Sequence, residues 1–187
     1  MMTMEYLIDP RGKQRRTRIK LAPRTSVETL RERRVLFYNK TKLDFGAYTE
    51  VFPRIKKQLE QKGVWGFIDY RETVWGKTSE GLRVLAQKLT GMGASAVVVA
   101  LADIGVTPAS TILTAELEKA GLPSVLITAG PGIELSRAVA HYRAGCLCLC
   151  PLNIYQGNTR QEVVQEVDRE PPAENGLPVI PPTPARL

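Results

Sequence analysis

From Arg34 to about residue 169 the chain alternates short apolar runs with longer stretches whose apolar residues recur at helical spacing. Short, continuous apolar runs are typical of strands that are buried on both faces of a parallel sheet. The pattern predicts strands over 35–38, 64–69, 96–101, 124–128 and 146–150, with helices over 45–62, 80–91, 108–120, 132–143 and 159–167. This alternation predicts an α/β fold with a doubly wound, mainly parallel five-stranded sheet, a three-layer sandwich of the flavodoxin or Rossmann kind.

Residues with special backbone preferences mark several of these boundaries. Gly63 is suited to the position just after a helix end, and Ser79 can cap the start of the second predicted helix. Pro108, which follows Thr107, is suited to the first position of the third helix. We therefore expect helices to end or begin at these points.

The two ends of the chain differ in composition from the α/β segment. Residues 1–33 are rich in arginine and lysine with little apolar periodicity, and predict a basic N-terminal arm that is solvated or lies across a partner subunit. Residues 34–169 form the predicted α/β domain. Residues 170–187 are rich in proline and predict an extended tail, which could dock on a partner.

Length and charge narrow the possible functions. The 187 residues are 43% hydrophobic and 24% charged, as in an ordinary globular domain rather than a disordered or fibrous chain. No apolar run approaches the roughly 20 residues that span a bilayer, and the N-terminus lacks the basic and apolar regions of a signal peptide. We expect a cytoplasmic protein with no membrane partner.

The net charge of +7 favours an anionic partner. A nucleic acid is disfavoured, because the basic run over 11–24 has no interleaved aromatic residue and Tyr6 precedes it. A small anionic substrate is the expected partner, and the chain is expected to form a homo- or hetero-oligomer.

Cysteines occupy every second position at Cys146, Cys148 and Cys150, which would place their side chains on one face of a strand. A zinc site needs a fourth ligand that the neighbouring sequence does not supply. The pattern therefore indicates packed thiols rather than a metal site, and no cofactor is indicated. Cys150, at the end of the predicted strand, could reach the ligand-binding edge.

In open parallel sheets, ligands bind beyond the carboxyl ends of the strands. The loops predicted there contain three catalytic candidates, Asp103, Thr107 and Cys150. The substrate-binding candidates share polar groups or close backbone approach: Asn39, Lys40, Arg71, Gly105, Ser110, Thr128, Gly130, Gly132, Asn153 and Tyr155. Lys42 adds positive charge to the same edge. A purely structural alternative remains open, in which Thr107 only caps a helix and Gly105 only permits a turn.

Several familiar sites do not fit the sequence. The glycines at 91–96 match the letters of a dinucleotide fingerprint, but they precede a predicted strand instead of following one. No phosphate-binding P-loop and no nucleophile elbow is present. His141, the single histidine, lies on a predicted helix away from the ligand edge, which argues against a histidine-based hydrolase.

Four short segments resemble the UGSC-like family, which is related to the selenoprotein substrate subunits of glycine and proline reductases. They are Leu-Ile-Asp-Pro-Arg-Gly at 7–12, Leu-Ala-Pro-Arg at 21–24, Asn-Lys at 39–40 and Pro-Leu at 151–152, and the unit over 97–123 follows the family order most closely. The family carries a selenocysteine or cysteine followed by Gly-Ser-Cys after the central strand. This chain reads Asp-Ile-Gly-Val-Thr-Pro-Ala-Ser at 103–110, without a cysteine. The resemblance therefore implies the binding architecture without the redox thiol.

Three hypotheses follow. The first is a UGSC-like enzyme component, reductase- or lyase-like, that acts on a small carboxylate-bearing anion. The second is a non-catalytic partner subunit of a heteromeric reductase-like complex. The third, nucleic-acid binding through residues 11–24, predicts a steep dependence of affinity on salt.

Overall fold

The computed structural model describes residues 18–169, which form one five-stranded parallel sheet with helices on both faces. The strands are β1 (Arg34–Asn39), β2 (Gly66–Arg71), β3 (Ala96–Ala102), β4 (Ser124–Ala129) and β5 (Leu149–Leu152). The helices are α1 (Val27–Leu30), α2 (Val51–Gln61), α3 (Ser79–Thr90), α4 (Thr107–Lys119), α5 (Gly132–Arg143) and α6 (Arg160–Asp168). The predicted doubly wound α/β fold is confirmed.

The strand order is β2-β1-β3-β4-β5, and every neighbouring pair is parallel. The chain winds outward from β1 to β2, then crosses back to β3 and continues the other way. Winding therefore reverses between β1 and β3, and a crevice opens at such a switch point beyond the carboxyl ends of the strands. We call this end of the sheet the carboxyl edge.

Two hydrophobic layers enclose the sheet, because successive side chains of a strand point to opposite faces. Leu36 and Tyr38 pack with the layer that includes α3, α4 and α5. Phe37 packs in the opposite layer, with α2 and α6, where its ring makes edge contacts with Phe52 and Phe67 at centroid distances of 4.9 and 5.5 Å. The apolar β1 strand is thus buried on both faces, as its sequence predicted.

The segment between β1 and α2 differs from the prediction of a helix over 45–62. It forms two 3₁₀ turns, Lys42–Asp44 and Gly46–Glu50, before α2 starts at Val51. Phe45 is extended and Gly46 has a positive φ of 56°, a conformation that does not continue a right-handed helix. The end of α2 agrees with the prediction, since Gly63 follows it with φ of 85°.

Three other predicted boundaries shift. Thr78, rather than Ser79, caps α3, because its hydroxyl accepts a hydrogen bond from the Gly81 amide. Helix α4 begins at Thr107, so Thr107 is not its cap and Pro108 is the second helical residue. Strand β5 begins at Leu149, where pairing with β4 starts, instead of at residue 146.

The segment before β1 packs against the domain over its described part. Ile19 and Ala22 are buried, and the Ile19 amide donates to the Ala144 carbonyl at 3.0 Å. Residues 1–17 of the predicted arm and the predicted tail at 170–187 lie outside the described residues, so the proposed domain boundaries stay predictions. Over 18–169, no helix combines the length and hydropathy needed to cross a membrane.

Candidate functional site

The switch point brings two predicted site residues to the same place. Lys40 directly follows β1, and Asp103 directly follows β3, the neighbouring strand. The Lys40 amide donates to the Ala100 carbonyl at 3.0 Å, which extends the pairing of the two strands to the start of the crevice. We call the part of the carboxyl edge that carries Lys40, Lys42 and Asp103 the switch-point crevice.

The Lys40 side chain is enclosed by protein, with only 1% of the residue exposed. Its Nζ makes no hydrogen bond with any described residue. Burial lowers the pKa of Lys40 from 10.5 to about 7, while the negative charge of Asp103 opposes that shift and the positive charge of Lys42 adds to it. The amine is therefore neutral in a large fraction of molecules near neutral pH.

Asp103 is buried, and its two carboxylate oxygens differ in their surroundings. Oδ2 accepts a hydrogen bond from the Lys42 Nζ at 3.2 Å, whereas Oδ1 is buried without a partner among the described atoms. The Tyr48 phenol faces the same charge, since its pKa is raised first by burial and then by Asp103. Tyr48 was not among the sequence candidates, because its segment was predicted to be an ordinary helix.

Asn39 and Arg71 organise the turn that follows β1. The Asn39 Oδ1 accepts from the Thr41 amide at 2.8 Å, and its Nδ2 donates to the Asp44 Oδ1 at 2.8 Å. Arg71 donates to the other Asp44 oxygen from Nε at 2.9 Å and from Nη2 at 2.5 Å. Thr41 holds a positive φ of 83°, which is strained for a β-branched residue. These side chains therefore position the turn around Lys40, and their polar groups are already engaged.

Buried hydroxyls continue along the carboxyl edge. The side-chain oxygens of Thr107, Thr128 and Ser136 are buried and have no hydrogen-bond partner among residues 18–169. The Ser110 hydroxyl, by contrast, donates to the Val106 carbonyl at 2.9 Å within α4. Thr107 and Thr128 thus retain unused hydrogen-bonding groups, as binding residues would, whereas Ser110 does not. Ser136 was missed because a lone serine inside a helix carries no sequence signal.

Two of the predicted glycines allow close approach of backbones. A Cβ atom on Gly132 would lie 2.3 Å from the Ala102 carbonyl oxygen and 2.4 Å from that of Asp103, so only glycine fits there. A Cβ on Gly130 would lie 2.9 Å from Cε1 of Tyr155, whose ring is half-exposed. Gly132 therefore holds α5 against the loop that carries Asp103.

Exposed apolar side chains lie on several loops of the carboxyl edge. Phe45, Trp75, Ile104 and Tyr155 lie on the loops that follow β1, β2, β3 and β5, and Trp75 is the most exposed at 72%. A Cβ on Gly105, whose φ is 79°, would lie 3.8 Å from Cζ3 of Trp75, so these two loops approach each other. We call these four side chains the apolar rim.

Cys150 does not occupy the position that the sequence predicted. It is the second residue of β5 instead of the last, and its side chain packs against the hydrophobic layer that contains α2 and α6. Burial raises the pKa of the Cys150 thiol to about 11, and Cys148 contributes to this rise. Within the described part of the chain, no group of three or more histidine, cysteine, aspartate or glutamate side chains could hold a metal ion.

Asn153 lies away from the crevice, beyond β5 at the side of the sheet. It lines an open cavity of 560 Å³ together with three acidic residues, Glu162, Glu166 and Asp168. Its amide donates to Glu166 Oε1 at 2.8 Å. Arg169 also lines this cavity, but its three carboxylates outnumber the one guanidinium, and the remaining negative charge is unfavourable for an anion. We therefore place the candidate site at the switch point.

The crevice combines an amine that can gain a proton, a carboxylate with one free oxygen and unused hydroxyls nearby along the same edge. Such a set can bind an anion and can move protons to or from it. No known protein-family model matches the chain, and no curated protein matches it.

Proposed function

We propose that the chain is an enzyme component that binds a small carboxylate-bearing anion in the switch-point crevice, as its resemblance to the UGSC-like family suggests. The observation that carries the proposal is the Lys40 Nζ, which is buried beside Asp103 without a hydrogen-bond partner among the described residues. A buried polar group left without a partner costs about 1–3 kcal/mol. An anion that accepts a hydrogen bond from Nζ removes this cost.

Binding of the anion and protonation of Lys40 are linked. In the free protein, the pKa of Lys40 is about 7, so above that pH the amine is mostly neutral. A carboxylate beside Nζ favours the ammonium form, and binding above pH 7 therefore takes up a proton. The affinity falls as the pH rises, because taking up that proton becomes more costly.

The neighbouring residues have distinct roles in the proposal. Lys42 contributes positive charge, and the free Oδ1 of Asp103 accepts or returns a proton during a lyase- or reductase-like reaction. Thr107, at the start of α4, and Thr128, near the end of β4, supply hydrogen bonds. The proposed chemistry does not depend on the Cys150 thiol, since burial keeps it protonated near neutral pH. A cytoplasmic location stays a prediction.

Isothermal titration calorimetry with lactate and glycolate tests this proposal on the full chain. We expect binding that weakens between about pH 6 and about pH 9, with an enthalpy that depends on the buffer because a proton is taken up. Lys40→Met should weaken binding by about tenfold or more. Lys62→Met is the matched control, because Lys62 is exposed beyond α2 at the opposite edge of the sheet. Equal binding by the wild type and Lys40→Met would refute the proposal.

The apolar rim favours a second candidate function, that of a non-catalytic partner subunit in a heteromeric reductase-like complex. Exposed aromatic side chains grouped around one edge are typical of protein interfaces. Native mass spectrometry of the chain, alone and co-expressed with the product of a neighbouring gene, tests this function. A complex that forms with the wild type and is lost in Trp75→Ser would support it, and a monomer under both conditions would count against it.

A further inference from the structure

Among the described lysines, Lys40 is the one whose side chain is buried. Lys56 and Lys88 have carboxylate partners, and Lys42 is held by Asp103. An ammonium that served only as a structural charge would be expected to bond a carboxylate or carbonyl directly. Within the described structure, the Lys40 Nζ bonds neither a carboxylate nor a carbonyl, although the Asp103 carboxylate lies in the same crevice. No described group therefore occupies the Lys40 nitrogen when it is neutral.

We propose that Lys40 forms a Schiff base with a 2-oxo carboxylate, a carboxylic acid whose neighbouring carbon is a ketone or aldehyde. This inference rests on the proposed function and names its substrate class. A buried lysine held close to another positive group is a recognised nucleophile for carbonyl compounds. Lys42 supplies that second positive group, two residues along the same loop.

The reaction balances without an oxidant or a reductant. The Nζ lone pair attacks the carbonyl carbon, the carbonyl π bond opens, and a proton from nitrogen passes to the oxygen to give a carbinolamine. Loss of that hydroxyl with a proton, as water, then forms the carbon–nitrogen double bond. Asp103 Oδ1 carries the proton from nitrogen to oxygen, because it is the carboxylate oxygen that Lys42 does not bond.

The carboxylate of the 2-oxo acid pairs with Lys42 and hydrogen-bond donors at the same edge instead of with Lys40, which keeps the Lys40 amine neutral and able to attack the carbonyl carbon. Lys42 lies beside Asp103, and α4 begins at Thr107, whose buried hydroxyl is unused. Thr128 is the second-last residue of β4 and pairs with Ala102 of β3, so it lies about 10 Å from the β1 backbone, on the spacing of strands two positions apart in the sheet. These groups favour an anionic carbonyl compound over a neutral one.

Entry of the substrate requires the turn after β1 to move, because Lys40 is enclosed. That turn is held by the Asn39 bonds to Thr41, Leu43 and Asp44. The Arg71 bonds to Asp44 and the contact between Lys42 and Asp103 hold it as well. The Lys42 side chain is 28% exposed, and its Nζ is bonded to Asp103. A carboxylate that pairs with Lys42 would weaken its contact with Asp103 and expose Lys40.

Reductive trapping tests the proposal. The full chain is incubated with pyruvate and sodium borohydride, and the adduct is located by peptide mass spectrometry. We expect one reduced pyruvate adduct on Lys40, formed about 100-fold or more faster than on an unperturbed model-peptide lysine, because burial lowers the pKa of Lys40 to about 7 from an ordinary value of about 10.4 and makes more of its amine neutral. Lys40→Arg and Lys40→Met should abolish that adduct, whereas Lys62→Met should retain it.

Lactate separates this proposal from the function on which it rests. Lactate carries the carboxylate but no carbonyl, so it should compete with pyruvate and form no adduct. If lactate binds in a Lys40-dependent manner but pyruvate traps only on exposed lysines, the Schiff base is refuted and the proposed function stands. If neither acid binds, both are refuted. Circular dichroism of Lys40→Met confirms that loss of the adduct does not reflect loss of the fold.

Discussion

Lys42 donates to Asp103 across the switch-point crevice, with Nζ 3.2 Å from Oδ2. This contact offsets part of the negative charge of Asp103, although that charge still raises the pKa of Lys40 by more than Lys42 lowers it. Burial is the largest influence on the pKa of Lys40, which it lowers, and it therefore favours the neutral amine. The arrangement of two lysines around one carboxylate suits a reactive amine better than a simple ion pair.

Lys40→Met should stabilise the folded protein at neutral and acidic pH. Below about pH 7 the amine is protonated in both the folded and unfolded states, so the folded state bears the full cost of burying the charge. Above about pH 10 it is neutral in both states and this cost disappears. The contribution of Lys40 to the free energy of unfolding therefore rises between about pH 7 and about pH 10. The lowering of the Lys40 pKa from 10.5 to about 7 corresponds to a change of about 5 kcal/mol at most.

Urea unfolding of the wild type and Lys40→Met at about pH 6, 8 and 10 measures this effect. The stability gain should shrink steadily as the pH rises, whereas Lys62→Met should change little at any pH. A loss of stability in Lys40→Met at pH 6 would mean that Lys40 is a structural charge, contrary to its proposed role.

Gly132→Ala should destabilise the protein and displace the loop that carries Asp103. The new Cβ would lie 2.3 and 2.4 Å from two carbonyl oxygens of the segment at the end of β3, and backbone atoms cannot move aside as a flexible side chain does. We expect a cost of about 3 kcal/mol, as for overpacking at a rigid contact. Gly157→Ala is the control, because its Cβ would meet nothing within 4 Å. Equal melting temperatures for the two variants would contradict this account.

The fold was predictable from the sequence because its strands are short and strongly apolar. Val97 and Leu126 lie in continuous apolar runs of strand length, which are typical of buried strands, and both are buried. The exact ends of the helices and strands depend instead on local backbone geometry. Thr78 and Ser79 are both capable of capping a helix, and the sequence alone does not say which of two adjacent residues adopts the extended conformation.

The candidate site was predictable in part. Lys40 and Asp103 follow apolar strands, so their place at the carboxyl edge could be predicted. Their adjacency could not, because it depends on β1 and β3 being neighbours in the sheet. The engagement of Arg71 by Asp44 and the inward position of Cys150 depend on side-chain packing, which periodicity does not report.

The Cys150 thiol should react slowly with iodoacetamide at neutral pH. With a pKa of about 11, only on the order of one molecule in a thousand carries the thiolate at pH 8, and the thiolate is the reactive form. The alkylation rate, followed by peptide mass spectrometry, should still be rising at about pH 10. Cys150→Ala should leave lactate binding unchanged. Rapid alkylation that levels off near pH 7 would instead restore Cys150 as a catalytic candidate.

Glu118 should be required to hold the segment before β1 against the domain. Its buried carboxylate accepts from the Ala22 amide at 2.8 Å, from Arg24 Nη1 at 2.8 Å and from the Ser124 amide at 2.7 Å. Glu118→Gln removes the charge and replaces one acceptor oxygen with a donor, so a buried amide loses its partner. We expect a loss of about 2 kcal/mol and faster hydrogen exchange at Ala22 and Ser124.

Glu116→Gln on the same helix is the matched control for Glu118→Gln. Glu116 pairs with Lys119 at 2.6 Å near the surface, and such pairs contribute little to stability. Comparable losses of stability in the two variants would show that the three contacts of Glu118 contribute no more than a surface ion pair does. Faster hydrogen exchange at Ala22 alone, with Ser124 unchanged, would mean that Glu118 holds the segment before β1 but does not stabilise the start of β4. Faster exchange at both amides would establish that one carboxylate joins the two.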